Sequence, residues 1–221
     1  MLHACKLLIA LLCIQSAQAQ NNVMFMNDPR SGRPLTLSKY EQYQGSAFLF
    51  DDWKKATVYA KDGTVFANVE MKFDVHENKF YYIQNNNTYY LQENVQMIKL
   101  FLDADTNNAM IFRNGFDINA SIGPASFVQI LHDGKVKLVK FTQKFIIEYS
   151  EYNNPNKLKA FSETVQYFGF LNNKWQSVKL SKKDAEKWLG TDYPQLIKQG
   201  DSNNLNLKTE AGWIALLKLL Q

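Results

Sequence analysis

The chain lacks most of the residue patterns that announce a chemistry. It has two cysteines, Cys5 and Cys13, and both precede a small-x-small triplet, Ala17-Gln18-Ala19, of the kind that ends a secretory leader. Once such a leader is removed, nothing remains for a disulfide, a thiolate nucleophile or a Cys-held metal. Long apolar runs are missing too. Leu7 to Ile14 is followed by polar sequence and is too short to span a bilayer. Cys13 follows the bulky Leu12, where a lipoprotein signal wants a small residue, so the reading is export without a lipid anchor. Charge of one sign is not massed anywhere: the formal net charge is +4, and loss of Lys6 with the leader leaves it too mild to call for a nucleic-acid partner. G-x-S-x-G, G-x-G-x-x-G and G-x-x-x-x-G-K are all absent, which removes the usual signatures of serine hydrolases and of nucleotide binding.

What is present is a leader, a lead-in and a strand-rich body. Lys6, the apolar run and the triplet describe a signal peptide over 1–19, cleaved after Ala19, which sends the chain to the periplasm or cell envelope. Cleavage leaves 221 − 19 = 202 residues from Gln20, enough to bury a core without disulfides. Residues 20–44 hold Pro29, Gly32 and Pro34 without sustained period and read as an extended lead-in. Order is expected from Gly45, with one domain over 45–221.

Within that body, Val65 to Val75 places an apolar residue at every odd position, the period of a strand with one buried face. Thr57 to Ala60 precedes it across Asp62-Gly63, so a hairpin with a type I′ turn is expected there. Ser46 to Phe50 reads as a short strand, and Trp53 as a core plug at the corner after it. Further strands are expected at Lys79–Ile83, Thr88–Leu91, Val95–Leu102, Ala109–Phe116, Phe127–Leu131, Val136–Phe141, Phe145–Tyr149, Val165–Leu171 and Trp175–Val178. Asp133-Gly134 is a second hairpin signal, while Asn85 to Asn87 and Asn172-Asn173 supply turns. Beyond Leu180 the period becomes helical. Ser181 with Asp184 opens a helix at about 181–190, and Thr209 opens another at about 209–220 with a stripe of Trp213, Ile214, Leu217 and Leu220. The fold class is therefore mainly β with C-terminal helices (α+β), an antiparallel meander of about 10 strands in a curved sheet or open barrel.

Gly45-Ser46, Phe48-Leu49, Trp53, Val58, Asp62-Gly63, Phe66, Asn68-Val69 and Met71-Lys72-Phe73-Asp74 together resemble a group of exported, functionally uncharacterised proteins of Bacteroidetes-type Gram-negative bacteria. Phe127, Leu131, Gly134, Lys137 and Leu138 match a second, weaker block. The resemblance implies export and a β-rich fold. Its motifs are turn residues and strand alternation, and it brings no catalytic residue.

Asp103, Asp105 and Asn107 hold calcium-loop positions, but Asn108 and Asn114 stand where an EF-hand needs Gly and Glu, so the stretch reads as a polar loop. His76 beside Glu77 and His132 beside Asp133 could make a metal or acid/base site only if the fold joined their two turns. Tyr81, Tyr82, Tyr89 and Tyr90 are possible ligand contacts, set against ordinary cross-strand pairing. Lys135, Lys137, Lys140 and Lys144 read as a basic edge. No cofactor and no metal is expected. The leading function is a non-catalytic binding or structural protein of the envelope, whose partner would be an envelope protein, a glycan or an apolar ligand. The alternatives are a carrier for an apolar ligand and an envelope glycan hydrolase.

Overall fold

The computed structural model describes residues 37–91, 95–103, 108–152 and 157–220. Residues 1–36, which hold the expected leader and most of the expected lead-in, lie outside them. A short 3-10 helix, Leu37–Tyr40, comes first. Ten strands follow: β1 Lys54–Ala60, β2 Val65–Asp74, β3 Lys79–Gln84, β4 Asn87–Tyr90, β5 Val95–Phe101, β6 Ala109–Arg113, β7 Val128–Asp133, β8 Lys137–Tyr149, β9 Leu158–Leu171 and β10 Lys174–Val178. Three helices, α1 Lys182–Leu189, α2 Pro194–Ser202 and α3 Glu210–Lys218, close the chain. The strands form one antiparallel sheet in the order β10-β9-β8-β7-β6-β5-β1-β2-β3-β4, which is open at β10 and β4. It is two meanders rather than one, because β5 returns across the sheet to pair with β1 instead of β4.

The turns realise the expected hairpins with different chemistry. Of the first Asp-Gly pair only Gly63 has positive φ, at 88°. The Gly63 amide donates to the Ala60 carbonyl, the Ala60 amide to the Thr64 carbonyl, and the Thr64 amide to Asp62 Oδ1. This is a three-residue loop that ends in a left-handed glycine, not a type I′ turn. At the second Asp-Gly pair, Gly134 does not have a positive φ. The two-residue turns with both positions left-handed are Asn85-Asn86 (φ 50° and 59°) and Asn172-Asn173 (φ 51° and 59°). Asparagine tolerates that conformation because its short side chain can bond locally.

The strict alternation expected of Val65 to Val75 fails at Asn68, whose φ is 57°. Val58 faces Phe66 while Ala56 faces Val69, so β2 carries one extra residue as a bulge. Val65 and Ala67 are consequently exposed, and the inward face becomes Phe66, Val69, Met71 and Phe73. After the bulge Lys72 and Asp74 point to the opposite, outer face. Ser46–Phe50 is not a strand: it makes a single bridge, Phe48 to Asp74, and runs along the end of β2. The segments Val136–Phe141 and Phe145–Tyr149 fuse into the continuous β8.

Three apolar clusters hold the fold. The first lies inside the curl of β1, β2, β3, β5 and β6, where Phe73 and Phe80 stack at 4.2 Å and Phe112 and Phe127 meet Phe80 edge-on. The Asn78 side chain locks this curl by donating to the Phe127 carbonyl and accepting from its amide. The second joins the three helices to β8, β9 and β10, with Trp213, Leu216 and Leu217 wholly buried. The third, on the other face of those strands, packs Ile122 against Val139, Phe141 and Phe168. No helix among the described residues is long and apolar enough to cross a membrane.

Candidate functional site

Lys72 and Asp74 face outward, and the chain from 37 to 51 packs over them. Asp74 is completely buried. Its Oδ1 accepts the His76 and Glu77 amides, both at 2.9 Å, and its Oδ2 accepts the Tyr40 hydroxyl at 2.8 Å. Three donors on one carboxylate are what makes its burial affordable. Lys39 lies 3.8 Å from Asp74 and donates to Glu77 (2.6 Å) and to the Tyr81 hydroxyl (3.2 Å). Burial would raise the Glu77 carboxyl, but the bonds from Lys39 and Lys79 outweigh it and hold the group down at about 2. Burial, then donation to Asp74, pushes the Tyr40 phenol far above its ordinary range. Tyr40 is therefore a neutral donor at any physiological pH. Its ring meets Phe48, His76 and Phe161 edge-on.

From this knot the chain reaches β8 and β9. The Lys144 amide donates to the Val75 carbonyl, the Lys144 ammonium to the Phe48 carbonyl at 2.6 Å, and the His76 Nδ1 stands 2.8 Å from the Lys144 carbonyl. Gln44 bonds to Lys159 and Phe161 of β9 through its backbone. The ionisable groups of the knot are thus committed to tying the 37–51 segment and the β2–β3 turn to β8 and β9.

Beside the knot lies a shallow basin of about 480 Å³, lined by Tyr40, Glu41, Gly45 to Phe48, Asp51 and Lys72. The Lys72 ammonium sits 4.6 Å above the Phe48 ring and 5.8 Å from that of Trp53, a cation held on aromatic faces. Glu41 and Asp51 are exposed carboxylates at its rim. The basin therefore offers one cation, two anions, a tyrosine and aromatic carbon within a single concave surface.

The four tyrosines do not form one platform. Tyr81 pairs with Tyr90 and Tyr82 with Tyr89, and the pairs occupy opposite faces. Tyr81 and Tyr82 are buried, at 3% and 2% exposure. Tyr81 belongs to the knot through Lys39 and Phe48, while Tyr82 stacks on Tyr89 beside the core. Tyr90 meets the Lys79 ammonium at 5.8 Å.

The two histidine turns are far apart. His76 contacts β8 at Lys144, whereas His132 pairs with β8 at Leu138, six residues away, or about 20 Å along a strand. Burial lowers the His132 pKa against the pull of Asp133, and no group of three His, Cys, Asp or Glu among the described residues could hold a metal ion. The basic edge also dissolves: Lys135 sits in the turn before β8, and β7 flanks β8 as far as Lys140. Lys137 pairs with Asp133, Lys140 with Glu210 of α3, and Lys144 with the Phe48 carbonyl. In the polar loop, Asn108 donates to Asp103, and residues 104–107 lie outside the described part.

Sequence reasoning missed Tyr40, Glu41, Asp51 and Lys72 as a group. The one available signal was Lys72 and Asp74 alternating with Met71 and Phe73; nothing local shows which segment covers them. No protein-family model, curated protein or solved structure matches the chain.

Proposed function

We propose that the protein is an exported, non-catalytic binding protein of the periplasm or cell envelope, and that the basin bounded by Tyr40, Phe48, Asp51 and Lys72 takes an envelope glycan. The observation that carries the reading is the basin's mix of groups. Carboxylates at Glu41 and Asp51 accept sugar hydroxyls, and the Lys72 ammonium, held on the Phe48 ring, donates to ring oxygens or acidic substituents. The knot beside it supports a binding rather than a reactive role, since Asp74 is already bonded to the Tyr40 hydroxyl and to the His76 and Glu77 amides, and the Glu77 carboxylate to Lys39 and Lys79. A carrier would hold its ligand inside the curl, where Phe73, Phe80, Phe112 and Phe127 fill the space.

Calorimetric titration of the purified protein with soluble fragments of envelope glycan tests the proposal, with the products examined by mass spectrometry. Binding without cleavage is expected, weakened at least tenfold by Lys72→Ala and by Asp51→Asn with the melting temperature retained. Absence of binding, or binding indifferent to both substitutions, overturns it. Shortened glycan would replace it with the hydrolase.

A further inference from the structure

β7 carries one extra residue at Leu131, since Ile130 faces Val139 while His132 faces Leu138. The bulge turns two successive side chains toward the helices. Leu131 packs against the second apolar cluster, and His132 lies across from Leu138, which is buried in that cluster with Trp213, Leu216 and Leu217 of α3. An imidazole is thus set under the end of α3, which packs on β7. It is 6% exposed. The β7–β8 turn confines the ring from the other side, because a Cβ on Gly134 would lie 2.8 Å from His132 Nε2.

Among the described residues the ring has no hydrogen-bond partner. A neutral imidazole carries one N–H and one acceptor nitrogen; a second N–H would add another unmatched donor, and a charge, where little water reaches. The charged groups around it are Lys218 of α3, Lys137 of β8 and Asp133 beside it in β7. Asp133 is already held by Lys137 and by Arg113 of β6, and Lys135 in the turn is exposed. The carbonyl end of a helix attracts cations. Here, however, the Leu216 and Leu217 carbonyls take the Leu219 and Leu220 amides, and Lys218 already occupies that end. Burial, the largest influence, lowers the ring's pKa from the usual 6.5; Asp133 opposes it, and Lys218 and Lys137 add to it.

We propose that His132 is a pH-sensitive latch on the end of α3: with a neutral ring the last turn, Lys218 to Leu220, stays seated, and a proton on the ring drives that turn away. The movement is confined to that turn. Trp213, Leu216 and Leu217 are wholly buried and hold the rest of the helix, whereas Lys218 and Leu219 are exposed and Leu220 is half-buried. Leu220 also walls an apolar depression of about 250 Å³ with Tyr193 and Leu196, so its departure uncovers the start of α2. The seated turn favours the neutral ring. It is therefore fully seated above pH 6.5, the ordinary value of the group, and loosens as the pH falls below it.

NMR on the full-length gene product, purified after whatever processing the expressing cell performs, tests the proposal from about pH 8 to about pH 5. The His132 imidazole is expected to titrate with a midpoint below 6.5. The backbone order parameters of Leu219 and Leu220 should fall with the same midpoint from about 0.85 to below about 0.6, while that of Trp213 stays high. His132→Gln and His132→Phe should each keep the two leucines ordered over the whole range, and the pair of variants covers the case that one does not fold. Lys218→Gln should raise both midpoints together, and His76→Gln, in the other histidine turn, should change neither. Leucines that stay ordered through the His132 titration, a His132 midpoint at or above 6.5, or loosening that persists without His132 overturns the proposal.

Discussion

Gly169 is the residue on which the seating of the helices depends. It sits inside β9, paired with Leu138 on one side and Gln176 on the other, a place where glycine ordinarily weakens a strand. Its value is the space it leaves. A Cβ added there would lie within 2.5 Å of three carbons of the Trp188 ring, where ordinary carbon contact is about 3.5–4.0 Å. The ring cannot swing aside easily, since Trp188 is stacked on the wholly buried Trp213 at 5.9 Å and 20°. Gly169→Ala should therefore cost about 2–3 kcal/mol, the upper part of the range for overpacking, because the obstructing group is a rigid ring. For a chain of this size that is a fall in Tm of about 4–12 °C. Trp188→Phe removes the obstructing part of the indole and sacrifices no hydrogen bond, since the buried Trp188 Nε1 has no partner. In urea unfolding the double variant should be more stable than the sum of the two single losses predicts, by about 1–2 kcal/mol of coupling. Additivity within about 0.5 kcal/mol, or an unchanged Tm for Gly169→Ala, would refute the reasoning.

Three further expectations follow from the same structure. Gly63→Val should cost about 1–3 kcal/mol by backbone strain alone, since a Cβ there meets nothing within 4 Å while φ is +88°; an unchanged urea midpoint would contradict it. Trp213→Ala should cost about 3–5 kcal/mol, because the ring is fully buried and its Nε1 donates to the Leu207 carbonyl at 2.7 Å; thermal unfolding measures it, and a loss below about 1 kcal/mol would mean that α3 is not seated on the sheet. Glu77 has a depressed carboxyl, about 2 against 4.5, so its contribution is present above pH 4.5 and is lost as pH falls toward 2; Glu77→Gln should flatten the decline of Tm across that window, and an identical decline would show that the Lys39 and Lys79 bonds do not matter to folding.

The amino-acid sequence by itself determined the local grammar of this protein. Strand periods, the Ser181 and Thr209 caps, each accepting a backbone amide three residues on, and the turn-forming asparagines act within a few residues, so neighbours along the chain suffice to specify them. The buried stripe of the last helix is of the same kind: Trp213 and Leu217 were legible from spacing and are fully buried. Ile214 was legible only as part of the apolar pattern, and it stays partly exposed because the helix touches the sheet along a narrower line than its composition suggests. What required tertiary structure was anything set by a partner distant in sequence. The bulge at Asn68 depends on register against β1, and it turned Val65 and Ala67 to solvent although their spacing marked them for the core. Tyr81 and Tyr90 looked alike in sequence, yet one is sealed by Lys39 and Phe48 and the other lies half-buried on the edge strand beside the Lys79 ammonium. The basin joins residues 40–51 to Lys72 because Asp74 can be buried only where Tyr40 and the next turn's amides supply its donors. That requirement is satisfied across more than thirty positions of chain, and no periodicity reaches so far.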